Sequence, residues 1–166
     1  MKKITAFICL VMFISGFSYG KDTGFLIGAD ISNGKVSTSE LEKSGSQNDT
    51  IYSAKIGYFT PHQRFLIKGD FGKLKDSIDI KTAFFEIDQI FSIVYIGLNL
   101  GYASYKEGNI IDKSGVLYGV QGGFLYEITN LIELEGSIRY SLTSIKQGNF
   151  NVDSWRVISA GVNIKF

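Results

Sequence analysis

The stretch that decides the fold is DSWRVISAGVNIKF, residues 153–166, at the end of the chain. From Ile158 onward its even-numbered residues are apolar, and its odd-numbered residues are polar or glycine. Successive side chains of a β-strand point to opposite faces, so this pattern predicts a strand with one apolar and one polar face. An apolar face that ends in the aromatic Phe166 suits a strand at a lipid boundary.

Seven further segments of the 166-residue chain alternate in the same way, which gives eight predicted strands in one domain. The strands are predicted at residues 23–32, 50–59, 63–71, 77–85, 92–105, 115–127, 132–143 and 153–166. Long loops are predicted at 33–49, 106–114 and 144–152, a shorter one at 72–76, and a turn or bulge at 86–90. Longer loops at one end and shorter turns at the other are typical of outer-membrane barrels.

Aromatic residues on the apolar faces provide a second indication of a membrane. They are predicted to form two girdles around a band of aliphatic residues, as in transmembrane barrels. The girdle near the chain ends would contain Phe25, Tyr58, Phe65, Phe84, Tyr126 and Phe166, and the opposite girdle Tyr52, Phe71, Tyr102, Tyr118 and Tyr140.

The first 20 residues have the pattern of a secretory signal peptide. Lys2 and Lys3 precede an apolar run, and small residues stand before a predicted cleavage site after Gly20. The single cysteine, Cys9, lies within this segment, so the predicted mature chain, residues 21–166, has no disulfide and no thiolate metal site. Export without disulfides is compatible with a closed barrel, in which every backbone group is paired.

The predicted polar faces carry charges of both signs. Without Lys2 and Lys3 the chain has 15 basic and 16 acidic residues, and this balance gives no indication of nucleic-acid binding. Because isolated buried charges are costly, these groups are expected to pair inside the barrel. The predicted network consists of Asp30, Lys55, Arg64, Lys68, Asp70, Asp79, Lys81, Glu127, Glu133, Glu135 and Arg139, with Lys165 on the same face. An eight-stranded lumen is narrow, so a filled interior is favoured over an open pore.

Catalysis has little support in the sequence. His62 follows Pro61 in a short predicted turn and has no nucleophile or orienting partner beside it in the pattern. Glu133 and Glu135 share a face, but Arg139 beside them indicates an ion network rather than an acid–base pair. We therefore expect no enzymatic activity, no cofactor and no metal site.

The pattern Ser159-x-Gly161-x-x-Ile164-x-Phe166 resembles the C-terminal signature of bacterial outer-membrane β-barrel proteins. Together with the strands and girdles, it makes the chain similar to the small barrels of the OmpA transmembrane-domain and OmpX type. The resemblance implies an all-β, eight-stranded antiparallel up-and-down transmembrane β-barrel in a Gram-negative outer membrane. It further implies contact with outer-membrane lipid and lipopolysaccharide, and recognition of the last strand by the barrel-assembly machinery. The role it suggests is structural or surface-interacting, with an extracellular partner at the three long loops.

Two alternatives remain open from the sequence. One is a small pore for ions or apolar molecules built on the same barrel. The other is a soluble lipocalin-like barrel, in which the apolar faces would surround a ligand and the charges would face water. Alternation by itself does not distinguish the inside of a barrel from its outside.

Overall fold

The computed structural model describes residues 23–40, 43–74, 78–107, 111–143, 146–147 and 150–166. The predicted signal peptide lies outside these residues, as do short segments within the predicted loops at 33–49, 72–76, 106–114 and 144–152. The described residues form nine strands: β1 Gly24–Glu40, β2 Lys43–Phe59, β3 Gln63–Leu74, β4 Ile78–Phe91, β5 Val94–Glu107, β6 Ile111–Glu127, β7 Ile132–Thr143, β8 Lys146–Gln147 and β9 Phe150–Lys165.

Eight of these strands form a closed antiparallel barrel in up-and-down order. Each strand pairs with the next along the chain, β7 pairs with β9, and β9 returns to pair with β1. The two-residue β8 pairs with the start of β9. The predicted fold class is therefore confirmed. No helix in the described parts of the chain is long and apolar enough to cross a membrane.

The two ends of the barrel differ. At the short-turn end, three brief connections at 60–62, 92–93 and 128–131 join the strands, and Thr23 and Phe166 also lie here. Ser92 has a φ of 60°, and it makes possible the two-residue turn between Phe91 and Val94. At the opposite, long-hairpin end, the strands continue well beyond the range predicted from the sequence.

The predicted long loops are largely strand. β1 and β2 stay paired from Gly24↔Phe59 to Glu40↔Lys43, so most of the predicted loop 33–49 belongs to a hairpin. In the same way β5 and β6 pair as far as Glu107↔Ile111. The sequence of these segments has no apolar alternation, yet the backbone hydrogen bonds of a strand pair do not require one.

Apolar side chains cover the outside of the barrel. Ile96 is 62% exposed and Val120 55% exposed, whereas Lys68 and Glu135 are buried in the lumen. A soluble lipocalin-like barrel would show the reverse arrangement, so that alternative is wrong. The predicted girdle residues lie on the outward faces of their strands, with one exception: Phe84 is 2% exposed and faces the lumen.

β4 is the strand whose faces were predicted the wrong way round. Ile80, Thr82 and Phe84 face the lumen, whereas Asp79 and Lys81 are exposed on the outside. The predicted turn at 86–90 is also wrong, because β4 continues to Phe91 and the turn follows at 92–93.

Candidate functional site

The lumen has three layers along the barrel axis. Toward the long-hairpin end lies the apolar plug, a cluster of buried side chains from five strands: Ile51, Ile80, Phe84, Ala103, Leu117, Trp155 and Val157. The middle layer is a network of charged groups, here called the charge network. At the short-turn end a cavity of about 730 Å³ opens, here called the mouth cavity. Each layer is built by the inward side of the same alternating strands.

Glu135 on β7 is the centre of the charge network. Its carboxylate accepts hydrogen bonds from Lys55 Nζ at 2.7 Å and from Arg64 at 3.1 and 3.2 Å. The hydroxyl of Tyr95 donates to it at 2.5 Å, and Nδ2 of Asn163 donates at 2.9 Å. Five strands therefore meet at one buried carboxylate, whose negative charge is compensated by two cations.

Two carboxylates extend the network on either side of Glu135. Asp30 on β1 accepts from Lys55 at 2.7 Å and forms an ion pair with Lys68 at 2.5 Å. Asp88 on β4 accepts from Arg64 at 2.8 Å and from Gln121 Nε2 at 2.6 Å. These contacts connect β1, β2, β3, β4 and β6 in the same layer.

Arg139 forms a second cluster directly below the apolar plug. Its guanidinium forms ion pairs with Asp70 and, at 3.1 Å, with Glu86. The guanidinium also lies 4.0 Å from the ring centroid of Phe84, which belongs to the plug. This cation–π contact joins the apolar layer to the charged one.

Lys165 closes the network at the mouth cavity. Its ammonium pairs with Glu127 and, at 3.0 Å, with Glu133, and it lies 5.3 Å from the ring centroid of Phe59. Glu127 faces the lumen side of β6 but is exposed at the rim, since its side chain is 62% accessible. Arg64 forms the inner wall of the cavity, so the cavity ends at the charge network.

The predicted network residues fall into three groups in the structure. Eight of them are buried in the lumen: Asp30, Lys55, Arg64, Lys68, Asp70, Glu133, Glu135 and Arg139. Glu127 lies at the mouth. Asp79 and Lys81 were predicted to face inward and do not, because the faces of β4 are reversed.

The sequence reasoning missed Glu86 and Asp88, which are buried on β4 and bind Arg139 and Arg64. Both were assigned to a turn. Their spacing of two residues was the signal that could have found them, since it continues the inward face of a strand. With the mouth residues included, the described lumen holds five cations and seven carboxylates rather than six of each.

Two glycines make room for the carboxylates. A methyl group at Gly161 would collide with Oδ1 of Asp30, and one at Gly97 with Oδ1 of Asp88. The other residues of the predicted C-terminal signature divide between the two faces: Ser159 is buried in the lumen, whereas Ile164 and Phe166 are exposed outside. Gly161 therefore has a packing role that is independent of any recognition of the signature.

The geometry of the lumen suits a structural network better than a catalytic site. Each carboxylate of the charge network already contacts a cation, so none is placed as a free base beside a nucleophile. His62 is exposed in the turn at 60–62. Among the described residues no group of three or more histidine, cysteine or acidic side chains is arranged to hold a metal ion.

Comparison with known proteins supports the fold. No protein-family model and no curated protein matches the chain. Among solved structures, Neisserial surface protein A is 24% identical with a TM-score of 0.66, over 86% of this chain and 97% of that one. Ail, the attachment invasion locus protein of Yersinia pestis, is 14% identical with a TM-score of 0.48, over 86% and 99%. The likeness to Neisserial surface protein A, together with the closed antiparallel barrel itself, shows that the chain has the fold of a small eight-stranded outer-membrane β-barrel.

Proposed function

We propose that the chain is an integral outer-membrane protein with a surface-interaction role, and that its lumen is a structural filling rather than a passage. The fold supports the membrane location, since an apolar outer surface around a polar interior requires a lipid environment. In this orientation the short-turn end faces the periplasm and the long-hairpin end faces the outside.

The observation that carries the surface role is the length of the hairpins at the outer end. β1 and β2 each have 17 residues, whereas a tilted strand needs about 9–11 to cross a bilayer. The register between them is unbroken to Glu40↔Lys43, so the hairpin is an ordered strand pair beyond the membrane. A paired hairpin that continues this far past the bilayer is longer than the connection of two strands requires, which favours recognition of a partner outside the membrane.

The filled lumen supports the same proposal by disfavouring transport. The apolar plug and the charge network lie in series, and both fill the lumen with buried side chains. The pore alternative would require both layers to move. Enzymatic activity is likewise not part of the proposal, because the lumen carboxylates are already paired with cations.

The experiment is a shortened-hairpin variant. Residues 37–46 are replaced by an Asn-Gly turn, which joins the paired residues Val36 and Gln47 and leaves the barrel intact. Cells displaying either form are tested on immobilised extracellular-matrix protein, on heparin and on a second population of the same cells. We expect the natural protein to bind at least one of these surfaces and the shortened form to lose that binding.

Membrane fractionation and heat-modifiable gel mobility show separately that both forms are folded in the outer membrane. Equal adhesion by the two forms, or none by either, would contradict a surface role for this hairpin. Absence of both forms from the outer-membrane fraction would contradict the proposed location. Recognition of Ser159, Gly161, Ile164 and Phe166 by the barrel-assembly machinery is proposed as the route of insertion.

A further inference from the structure

One row of polar side chains in the lumen crosses three neighbouring strands and borders the apolar plug. Ser53 on β2 is the Cα partner of Asp70 on β3, and Asp70 is in turn the partner of Thr82 on β4. All three side chains face inward and are buried. Residues opposite each other on antiparallel strands have Cβ atoms about 4.5–5.5 Å apart, so the register places two hydroxyls and a carboxylate side by side.

Each member of this row has an oxygen that forms no hydrogen bond within the part of the chain that the structure describes. The three atoms, here called the oxygen row, are Ser53 Oγ, Asp70 Oδ1 and Thr82 Oγ1. Asp70 is 0% exposed, so bulk water does not reach its carboxylate. Buried polar atoms in proteins almost always have a partner, because a buried polar atom without one is destabilising. Three such oxygens in one row therefore indicate a bound species.

The ion pairs beside the oxygen row indicate that this species is a cation. The guanidinium of Arg139 forms ion pairs with both Asp70 and Glu86, so one positive charge faces two negative charges. Arg139 contacts Oδ2 of Asp70, whereas the oxygen without a partner is Oδ1. The excess negative charge and the free oxygen therefore belong to the same cluster.

The other cations of the lumen are already paired with carboxylates of their own. Every inward-facing position between the apolar plug and the mouth cavity lies in a described strand, so the count is complete for this part of the barrel. Three cations face three carboxylates and a fourth faces two: Lys55, Arg64 and Lys68 with Asp30, Asp88 and Glu135, and Lys165 with Glu127 and Glu133. The cluster around Arg139 thus keeps one uncompensated negative charge, which is costly in a buried layer.

The donor set of the oxygen row suits a monovalent metal ion. Carboxylate and hydroxyl oxygens are the ligands that hard cations prefer. Ca²⁺ takes about six to eight oxygen ligands and Mg²⁺ requires a near-ideal octahedron, which is more than one carboxylate and two hydroxyls provide. A single positive charge also matches the single charge that is uncompensated.

We propose that the oxygen row binds a sodium or potassium ion in the lumen. The ion neutralises the second carboxylate charge of the cluster around Arg139. It also joins β2, β3 and β4 at the level where the charged and apolar layers of the lumen meet. Sequence spacing does not show this site, because strand register brings its three residues together.

Binding is measured as stabilisation of the refolded barrel in detergent micelles. The urea midpoint is compared in sodium chloride, potassium chloride and tetramethylammonium chloride at the same ionic strength, because the methyl groups of the organic cation keep its charge away from an oxygen ligand. An ion that binds only the folded state raises the midpoint. We expect a rise of about 0.5 M in at least one alkali salt, which corresponds to an ion concentration of roughly ten times the dissociation constant.

The test variant is Ser53→Ala with Thr82→Val, which removes two of the three oxygens and keeps the carboxylate. The matched control is Ser32→Ala with Ser159→Ala, since these two buried lumen hydroxyls form a hydrogen bond with each other at 2.8 Å. Heat-modifiable mobility shows that each form is a closed barrel. We expect the test variant to lose the difference between the salts and the control to keep it.

Crystals of the natural protein soaked in thallium(I) acetate locate the ion without any substitution, since thallium(I) replaces potassium and scatters anomalously. We expect an anomalous peak beside the three oxygens. The proposal is overturned by equal midpoints in the three salts, by a difference between the salts that the test variant keeps, or by density for water alone at the row. A midpoint that responds to millimolar calcium and not to sodium or potassium would overturn the choice of a monovalent ion.

Discussion

Arg139 is the residue on which the upper part of the lumen depends. It is 4% exposed, and it compensates the buried carboxylates of Asp70 and Glu86 while contacting the ring of Phe84. Removing one partner of a buried ion pair leaves uncompensated charge in a region that water cannot reach, which is far more costly than losing an exposed pair. Its contribution to stability should therefore greatly exceed that of an exposed arginine.

We expect Arg139→Met to lower the free energy of unfolding by about 3–5 kcal/mol. The matched control is Arg156→Met, an exposed arginine on the same barrel, for which a change within about 0.5 kcal/mol is expected. The measurement is urea-induced unfolding in detergent micelles free of lipopolysaccharide, followed by tyrosine and tryptophan fluorescence. Similar losses of unfolding free energy in the two variants would show that the lumen charges contribute no more to stability than surface charges do.

A substitution at Gly161 can distinguish a role in packing the lumen from a role in recognition by the barrel-assembly machinery. We expect Gly161→Ala to destabilise the barrel by about 1–3 kcal/mol, because the added methyl group displaces the Asp30 carboxylate from Lys55 and Lys68. Gly69→Ala is the control, since a methyl there would lie 3.4 Å from the nearest atoms of Phe71.

The measurement for Gly161→Ala is refolding into lipid vesicles without any assembly machinery, scored by heat-modifiable mobility and by the urea midpoint. A defect that appears only in cells and not in vesicles would mean that the glycine acts through the assembly signature instead of through packing.

At the scale of single elements, seven of the eight barrel strands have the faces that the sequence predicts, and β4 does not. The alternation from Ile78 to Phe85 can be read with either face outward, since apolar side chains occur on both. Ile80 and Phe84 face the lumen because they pack in the apolar plug with side chains from other strands. The periodicity of a single strand carries no information about that packing. Glu86 and Asp88 identify the inward face, but only if the strand is extended beyond the prediction.

The orientation of β4 can be tested with neighbouring cysteines. Lys81→Cys should react rapidly with a water-soluble maleimide on intact cells, because position 81 is exposed at the outer rim. Thr82→Cys should be protected, because position 82 is buried in the lumen. Since the predicted mature chain contains no other cysteine, the signal reports one site. Faster labelling at position 82 than at position 81 would instead support the orientation of β4 that the sequence predicts, with Lys81 in the lumen.

The β1–β2 hairpin shows a second limit of sequence reasoning. The strand ends were predicted where the apolar alternation stops, which is where the membrane ends and not where the hydrogen bonding ends. Beyond the membrane the hairpin sequence is polar at both odd and even positions. The pattern of side chains therefore no longer marks a strand, although the backbone pairing continues. The pairing partners of the charge network could not be predicted either, since they depend on register between distant strands, as for Lys55 and Glu135.

At the scale of the whole molecule, the two lumen layers in series predict a closed barrel. We expect no steady ionic current through the natural protein in planar bilayers. Arg139→Ala should also carry none, because the apolar plug remains above the altered network. Addition of a general porin at the end of each recording shows that the bilayer can report a channel. Stepwise openings in the natural protein that Arg139→Ala changes would favour the pore alternative.

The closing contact between β9 and β1 has a consequence for how the molecule is made. Lys55 and Glu135 are 80 positions apart, and Ser32 and Ser159 are 127 apart, so these contacts form only when the cylinder is complete. An incompletely closed sheet in the bilayer would contain charged side chains without an ion-pair partner. The free energy of such an intermediate is high. Insertion should therefore be an all-or-none event, in which the first and last strands meet and the interior neutralises itself in the same step.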